Sequence, residues 1–273
     1  MRTPSPLTPS PPFLQPLMLD GEPLRVESQW LGDAPAASQP LLVFLHEGLG
    51  SLSQWRDFPA RLCAALQLPG LVFSRPGYGQ SSPRTAPWPP DYLQRQARGL
   101  LPACFEALGL AERPLLLFGH SDGASLALLY AAHAPHQVRG VVAMAPHLFV
   151  EPITLLGLHA AKTAYEQGDS LRKALARHHA DTDSAFYGWN DAWLRPGFAN
   201  DWNIEGELGG LACPVLALQG EGDEYGTLEQ IRAVGRLHAD TTVCALADCG
   251  HAPQRDQPEA VIRETLALLA RCR

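Results

Sequence analysis

A serine, an acid and a histidine follow three separate apolar runs of this sequence. Ser121 lies in the pentapeptide Gly-His-Ser-Asp-Gly that begins at Gly119, directly after one such run. Asp223 and His251 each come shortly after a later run. A serine hydroxyl is a weak nucleophile at its free pKa, so it requires a base within reach and a third group that orients the base. The three residues therefore predict a triad in which Ser121 attacks, His251 takes its proton and Asp223 orients His251.

Three other carboxylates compete for the role of the acid, namely Glu221, Glu224 and Asp248. We prefer Asp223 because it lies three residues past the glycine that ends the preceding run. That spacing is short enough for the scaffold to hold the side chain and long enough for it to turn toward the histidine.

Other histidines compete for the role of the base. The side chain of His120 is expected to point away from the turn and to pack against the sheet, and His159 lies in a long segment between strands. Five more fall on predicted helices or at their ends, where we expect surface side chains: His133, His136, His178, His179 and His238.

The elements around Ser121 are predicted to be a strand, a sharp turn and a helix. Residues 115–118 are apolar and bounded by glycine, which favours a buried strand, and residues 124–132 favour a helix. Glycines on both sides of the serine avoid collisions at such a turn, which holds the hydroxyl in a cleft.

The same alternation of strands and helices extends along most of the chain. It begins with a hairpin signalled by Asp20-Gly21. Apolar runs separated by helical patterns indicate parallel strands covered on both faces, whose carboxyl ends form a binding crevice. We therefore expect an α/β fold with a mostly parallel, helix-flanked sheet of about eight strands. The predicted strands after the hairpin are 41–46, 71–74, 115–118, 140–146, 214–219 and 241–247, and the predicted helices besides 124–132 are 53–66, 91–108, 227–237 and 257–270.

Two segments stand apart from this alternation. Residues 1–16 carry six prolines and are expected to form a loose arm. Residues 147–211 carry helical patterns without a convincing strand and are too long for a simple connection, so we expect a lid or small inserted domain. The main domain is then assigned to residues 17–146 and 212–273.

Composition restricts the partners. The net charge of -7 and the lack of a Lys/Arg cluster disfavour nucleic acid and anionic membrane surfaces, so a small-molecule substrate is expected. No apolar run approaches the length of a membrane span, and the N-terminus lacks the apolar core of a secretory signal, which predicts a cytoplasmic protein. The six cysteines show no metal-binding spacing, and we expect neither a metal nor a cofactor. The oligomeric state stays open.

Nucleophilic attack on a carbonyl also requires donors that stabilise the oxyanion. The backbone N–H of Asp122 is one candidate, because it follows the nucleophile at the start of a helix. The second is the N–H of Gly48, in the glycine-containing loop that follows the strand ending at His46.

Together these motifs resemble the α/β-hydrolase superfamily from residue 41 to the C-terminus. Its His-Gly-x loop is similar to His46-Glu47-Gly48, and its Arg-Pro-Gly-Tyr-Gly-x-Ser turn is similar to residues 75–81. Its nucleophile elbow matches residues 119–123, and the order serine, acid, histidine is the one expected on this scaffold. The resemblance to the capped members, which include esterases, enol-lactonases and meta-cleavage-product hydrolases, implies a helical cap at residues 147–211.

The resemblance implies a serine hydrolase acting on a small ester, lactone, thioester or activated C–C bond. Because the nucleophile is a serine, the haloalkane dehalogenase and epoxide hydrolase branches, which use Asp, are not expected. Two alternatives stay open: a cofactor-free haloperoxidase-like or lyase-like activity with the same triad, and a binding protein without turnover. Substrate-binding walls are predicted from the insertion, at Phe149, Trp189 and Trp193.

Glu47 departs from the pattern, because most members have Gly there. A carboxylate beside the oxyanion loop would oppose the developing negative charge, so we predict an ion pair between Glu47 and Arg75 at the pocket edge. The alternatives are that Glu47 and Asp122 form an acidic, substrate-binding pocket for a cationic ester, or that Glu47 faces solvent.

Overall fold

A single eight-stranded sheet organises the molecule. In this computed structural model, the structure describes residues 7–32, 39–84 and 86–272. The strand order is β1-β2-β4-β3-β5-β6-β7-β8, with β1 and β2 antiparallel to their neighbours and the other pairs parallel. The predicted α/β fold with a mostly parallel sheet is confirmed. The strands are β1 (Phe13–Leu19), β2 (Glu22–Leu31), β3 (Leu41–Leu45), β4 (Gly70–Phe73), β5 (Leu115–His120), β6 (Val138–Met144), β7 (Val215–Gly220) and β8 (Thr241–Leu246).

Helices cover both faces of the sheet. Successive side chains of a strand point to opposite faces, so Val43 packs in one apolar core and Phe44 in the other. The helices are α1 (Phe58–Leu66), α2 (Tyr92–Arg95), α3 (Leu101–Ala107), α4 (Asp122–His133), α5 (Pro152–Gln167), α6 (Asp169–Leu175), α7 (Thr182–Leu194), α8 (Pro196–Ala199), α9 (Glu229–Leu237), α10 (Pro253–Asp256) and α11 (Pro258–Leu269). Within the described residues, no helix combines the length and the apolar character needed to cross a membrane.

The opening hairpin forms where the sequence predicts it. Asp20 and Gly21 have φ angles of 51° and 84°, as a two-residue turn with positive φ at both positions requires. The expectation of a loose arm over residues 1–16 is wrong for residues 13–16, which belong to β1. Pro16 pairs with Arg25 in this ladder, which is possible because β1 is an edge strand. Residues 1–6 lie outside the described residues.

The turn at Ser121 joins β5 directly to α4. Ser121 has φ 53° and ψ -119°, a conformation that residues with a Cβ rarely adopt. A Cβ on Gly119 would overlap the backbone of Gly123, and a Cβ on Gly123 would overlap the carbonyl of Leu45 in β3. Both glycines are therefore required by close backbone packing around the serine.

Residues 147–211, all of which the structure describes, connect β6 to β7. They contain α5, α6, α7 and α8 and no strand, apart from an isolated bridge between Phe149 and Asn203. This agrees with the predicted helical character of the segment.

Substitution of Gly123 by alanine should destabilise the protein by about 3 kcal/mol, because the new Cβ would overlap the backbone at the end of β3, which cannot retreat without disturbing the sheet. The free energy of unfolding in urea measures this effect. Gly206→Ala is the matched control, because a Cβ at that position meets no atom within 4 Å. A Gly123→Ala variant as stable as the control would contradict the packing described here.

Candidate active site

Ser121, His251 and Asp223 form a continuous chain of hydrogen bonds. The Ser121 Oγ lies 3.0 Å from His251 Nε2, and His251 Nδ1 lies 2.8 and 2.9 Å from the two Asp223 carboxylate oxygens. Because a carboxylate only accepts, Nδ1 carries the proton and Nε2 accepts the hydrogen bond from the serine. The three residues come from the carboxyl ends of β5, β7 and β8 and are all buried.

The structure places Asp223, and none of its rivals, against the histidine ring. Asp223 Oδ1 also accepts hydrogen bonds from the backbone N–H groups of Tyr225 and Gly226, at 2.8 and 3.3 Å, and Oδ2 accepts one from Gln219 at 3.1 Å. Burial acts to raise the pKa of Asp223, but the hydrogen bonds from His251 and Tyr225 outweigh it and lower the pKa. The acid therefore stays ionised.

The rival Glu224 contacts the backbone of His251 rather than its ring. Its Oε2 accepts the His251 backbone N–H at 3.3 Å. Glu221 and Asp248 have exposed side chains and no hydrogen bond to the ring within the described residues.

The charge state of His251 depends on its acidic neighbours. Burial would lower its pKa, but the Asp223 hydrogen bond and charge, followed by the charges of Glu47 and Glu224, raise it above the usual value. His120 positions the base from below, because its Nε2–H donates to the His251 carbonyl at 2.6 Å. The His120 side chain therefore points away from the turn, in line with the sequence-based expectation.

The two amides expected to form the oxyanion hole border one cavity with Ser121. Both Asp122 and Gly48 line it. Asp122 is the first residue of α4, so its N–H has no acceptor inside the helix. Within the described residues, the N–H of Gly48 also has no protein acceptor. Both donors are free to bind a ligand oxygen.

The cavity is small, about 60 Å³, and its far wall comes from the 147–211 segment. Trp189 and Trp193 of α7 line it, and the Trp189 indole packs so closely on Gly48 that a Cβ there would overlap it. The expectation that Phe149 belongs to this wall is not met. Its side chain packs against the apolar core that contains Val43, its carbonyl accepts a hydrogen bond from Gln230, and its backbone forms a bridge with Asn203.

The predicted Glu47–Arg75 ion pair is wrong. β3 does lie between β4 and β5, so Arg75 starts beside Glu47. Its guanidinium, however, turns beneath the loop, where Nη2 donates to the Glu47 carbonyl at 2.8 Å and lies 3.8 Å from Asp122 Oδ2. Asp122 is fully buried while Glu47 is half-buried, and an unpaired buried carboxylate is the more costly of the two.

The buried Asp122 carboxylate has further partners. Its Oδ2 accepts a hydrogen bond from the hydroxyl of Tyr92 at 2.5 Å. The Arg75 guanidinium beside it is itself held by Gln96, to which Nη1 donates at 3.0 Å. Burial raises the pKa of Asp122, although Arg75 and Tyr92 act in the opposite direction.

Two histidines close to the site were not identified from the sequence. His147 lies just past the carboxyl end of β6, lines the cavity, and its ring centroid is 5.9 Å from that of His251. Burial, and then the neighbouring His251, lowers the pKa of His147 to about 3, so the ring is neutral. Its place after a strand adjacent to β5 was the signal that could have found it.

His179 is buried rather than at the surface, which corrects its expected position. Its Nδ1 accepts the Gly79 N–H at 3.0 Å, so its Nε2–H donates to the Leu49 carbonyl at 3.0 Å. His179 thus ties the segment after β6 to the loop that carries Gly48.

One group of side chains has the composition of a metal site. Ligand atoms of Glu47, His120 and His251 lie within 4.8 Å of one another. The ring nitrogens are already engaged, however, because those of His120 bond the His251 carbonyl and Gln254, and those of His251 bond Asp223 and Ser121. The group fits a hydrogen-bonded triad better than a metal ligand set, and the expectation of no metal or cofactor stays a prediction.

The sequence matches the model of the family described as "Alpha/beta hydrolase family" over residues 42–264. No curated protein matches it.

Several solved structures are similar to this one. An esterase from Thermogutta terrifontis has 17% identity and a TM-score of 0.70, with 96% of this chain and 98% of the esterase covered. An enol-lactonase from Burkholderia xenovorans LB400 has 18% identity and a TM-score of 0.70, with 93% of this chain and all of that chain covered. A proline iminopeptidase from Mycobacterium smegmatis has 17% identity and a TM-score of 0.70, with 94% and 98% covered. At such identities the likeness shows the fold alone.

The buried neutral histidines should make stability fall in mild acid. The pKa values of His46, His120 and His147 are lowered, first of all by burial, so below pH 6.5 the unfolded chain binds protons that the folded chain does not. The raised pKa of His251 acts in the opposite sense, but the pKa values of His178 and His179 are lowered as well. The melting temperature should therefore drop from pH 6.5 downward, and His147 alone should lower the free energy of unfolding by about 2 kcal/mol at about pH 5.

A pair of variants checks the origin of this loss. His147→Gln should make the dependence of the melting temperature on pH shallower, whereas the same change at the exposed His136 should leave it unchanged. Equal slopes for both variants would show that His147 does not contribute.

Proposed function

The chain belongs to the alpha/beta hydrolase family, and from its site we propose that it is a serine hydrolase that forms an acyl-enzyme on Ser121. Its proposed substrates are small esters, lactones or thioesters, or molecules with an activated C–C bond. The observation that carries the proposal is the hydrogen-bond chain from the Ser121 Oγ through His251 to Asp223, at 3.0 and 2.8 Å, beside a cavity.

The geometry supports a two-step reaction. As the Ser121 Oγ attacks the carbonyl carbon, His251 Nε2 takes its proton, and ionised Asp223 stabilises the imidazolium through Nδ1. The negative charge on the carbonyl oxygen would be stabilised by the N–H groups of Gly48 and Asp122. His251 then donates the proton to the leaving group, and a water molecule repeats the sequence to release the acid.

The cavity supports a short acyl group. At about 60 Å³ it is far smaller than the roughly 300 to 1,000 Å³ of pockets that bind drug-sized ligands. We further propose that residues 147–211 act as a cap on a core made of residues 17–146 and 212–273, because α7 supplies the cavity wall opposite Ser121.

Removal of the nucleophile tests the proposal directly. Ser121→Ala should fold normally and lower kcat for p-nitrophenyl acetate by at least ~10³-fold, and a fluorophosphonate probe should label the parent protein but not the variant. Asp223→Asn should lower kcat by a similar order, whereas the exposed Asp248→Asn should not. Near-parental rates for Ser121→Ala would refute the assignment.

Truncation of the indole next to Gly48 tests the acyl wall. Trp189→Ala should raise kcat/KM for p-nitrophenyl butyrate relative to the acetate by about tenfold, because two more methylene groups can be buried. Tyr187→Ala, on the same helix but outside the cavity wall, is the control. An equal loss for both esters would mean that Trp189 only packs the segment onto the core.

A further inference from the structure

The active-site cavity contains a carboxylate without a counter-charge. Glu47 and Asp122 both line it, whereas no Lys or Arg does. Asp122 has a counter-charge behind the wall, because its Oδ2 lies 3.8 Å from the buried Arg75, so Glu47 is the uncompensated charge. Glu47 directly precedes Gly48, whose N–H is one of the proposed donors to the carbonyl oxygen, and a neutral or anionic substrate would leave the Glu47 charge opposing the developing oxyanion.

The Glu47 carboxylate is without a partner in the part of the chain that the structure describes. It forms no ion pair there and accepts no hydrogen bond, and the nearby Arg75 donates to the Glu47 carbonyl instead. Its closest ring nitrogens belong to His120 and His251, within 4.8 Å. His120 is neutral because its Nδ1 accepts a hydrogen bond from Gln254 while its Nε2 donates, so it supplies no counter-charge.

Two other side chains of the cavity lining carry a buried polar atom without a hydrogen-bond partner. Asp122 is fully buried, and its Oδ1 has no hydrogen-bond partner within the described residues, because Tyr92 and Arg75 approach only Oδ2. His147 is 3% exposed, and its Nδ1 is likewise without a partner. Buried polar atoms of this kind favour a polar ligand over an apolar one in the cavity.

Aromatic side chains form the rest of the wall. Trp189, Trp193 and Tyr225 line the cavity, and the Tyr225 ring centroid lies 4.8 Å from that of His251. The faces of such rings attract cations within about 6 Å of the centroid. The unpaired Glu47 carboxylate and the aromatic rings thus favour the same class of ligand.

Resting on the proposed hydrolase function, we propose that the cavity selects substrates that carry an ammonium group, such as an ester of a small amino acid or of an amino alcohol. The ammonium group lies beside Glu47, where it neutralises the charge that would otherwise oppose the oxyanion.

The test compares isosteric ester pairs that differ only in charge. One pair carries the charge on the acyl group, glycine benzyl ester against benzyl propionate. The other carries it on the alcohol, choline acetate against 3,3-dimethylbutyl acetate. Assays at about pH 6.5 keep an α-amino group protonated. For each pair, the ratio of kcat/KM for the charged ester to that for the neutral ester is measured in the parent, in Glu47→Gln and in Glu224→Gln.

Glu224→Gln is the matched control, because Glu224 is also close to His251 but does not line the cavity. In Glu47→Gln the charged-to-neutral ratio should fall about tenfold for at least one pair, and the affected pair identifies the side that holds the ammonium group. In Glu224→Gln both ratios should stay within about twofold. Intrinsic ester reactivity cancels, because each ratio is compared between variants.

Two results would overturn the inference while leaving the hydrolase assignment intact. One is a charged-to-neutral ratio that does not change in Glu47→Gln, as an equal loss for both esters would give. The other is an equal change of the ratios in Glu224→Gln. If no ester is hydrolysed and the probe fails to label Ser121, the proposed function itself fails.

A measurement on the parent enzyme alone guards against a Glu47→Gln variant that does not fold. The kcat/KM of each ester is divided by the rate constant for its hydrolysis by hydroxide, which corrects for intrinsic reactivity. The corrected value should decrease from glycine benzyl ester through benzyl propionate to the benzyl half-ester of malonate. A higher value for the anionic ester than for the neutral one would contradict the proposal.

Discussion

Ser121 is held at a φ of 53° between β5 and α4, and the geometry of the whole site follows from this turn. A strained residue of this kind persists only where its surroundings leave it no alternative. Here the Ser121 N–H donates to the Met144 carbonyl at the end of β6, and the Ser121 carbonyl accepts the N–H groups of Ala124 and Ser125 in α4. The close contact of Gly123 with β3 fixes the start of α4 against the sheet. The direction of the Oγ is therefore set by the backbone of three adjacent strands rather than by the rotamer of one side chain.

A second layer of interactions holds the loop that faces this turn. Arg75, fully buried, donates to the Glu47 carbonyl from below, and His179 donates to the Leu49 carbonyl from the other side. The Gly48 amide lies between these two anchored carbonyls, so its N–H is oriented before any substrate binds. Preorganised donors of this kind stabilise a transition state without reorganising during the reaction. Because Arg75 also lies 3.8 Å from the buried Asp122, one side chain serves both the loop and the start of α4.

The sequence predicted the features that depend on local pattern and missed those that depend on long-range packing. The strand positions, the hairpin and the placement of Ser121, Asp223 and His251 after strands follow from apolar periodicity and turn residues. The predicted helix over 53–66 is instead a short 3-10 turn followed by α1, because Pro59 has no N–H to continue an α-helical ladder and is tolerated only in a first turn. The predicted helix over 91–108 contains a π-helical stretch directly before Pro102, for the same reason.

The directions of individual side chains also could not be predicted from the sequence. The neighbourhood of Arg75 and Glu47 was predicted from strand order, but which carboxylate Arg75 approaches depends on the relative burial of Glu47 and Asp122, which no pattern encodes. The same holds for Phe149, His147 and His179, whose roles depend on how residues 147–211 fold back over the sheet.

The charge of Glu47 connects specificity with the chemistry of the base. Together with Asp223, it raises the pKa of His251, which increases the fraction of protonated and therefore inactive base near neutral pH. An ammonium group bound beside Glu47 would weaken this influence and increase the fraction of neutral His251. By linkage, the coupling is reciprocal, since neutral His251 also strengthens the binding of a cation at Glu47. Glu47 would then lower the fraction of active base in the free enzyme but not in the complex with a cationic substrate. Discrimination between substrates would therefore appear in kcat as well as in binding.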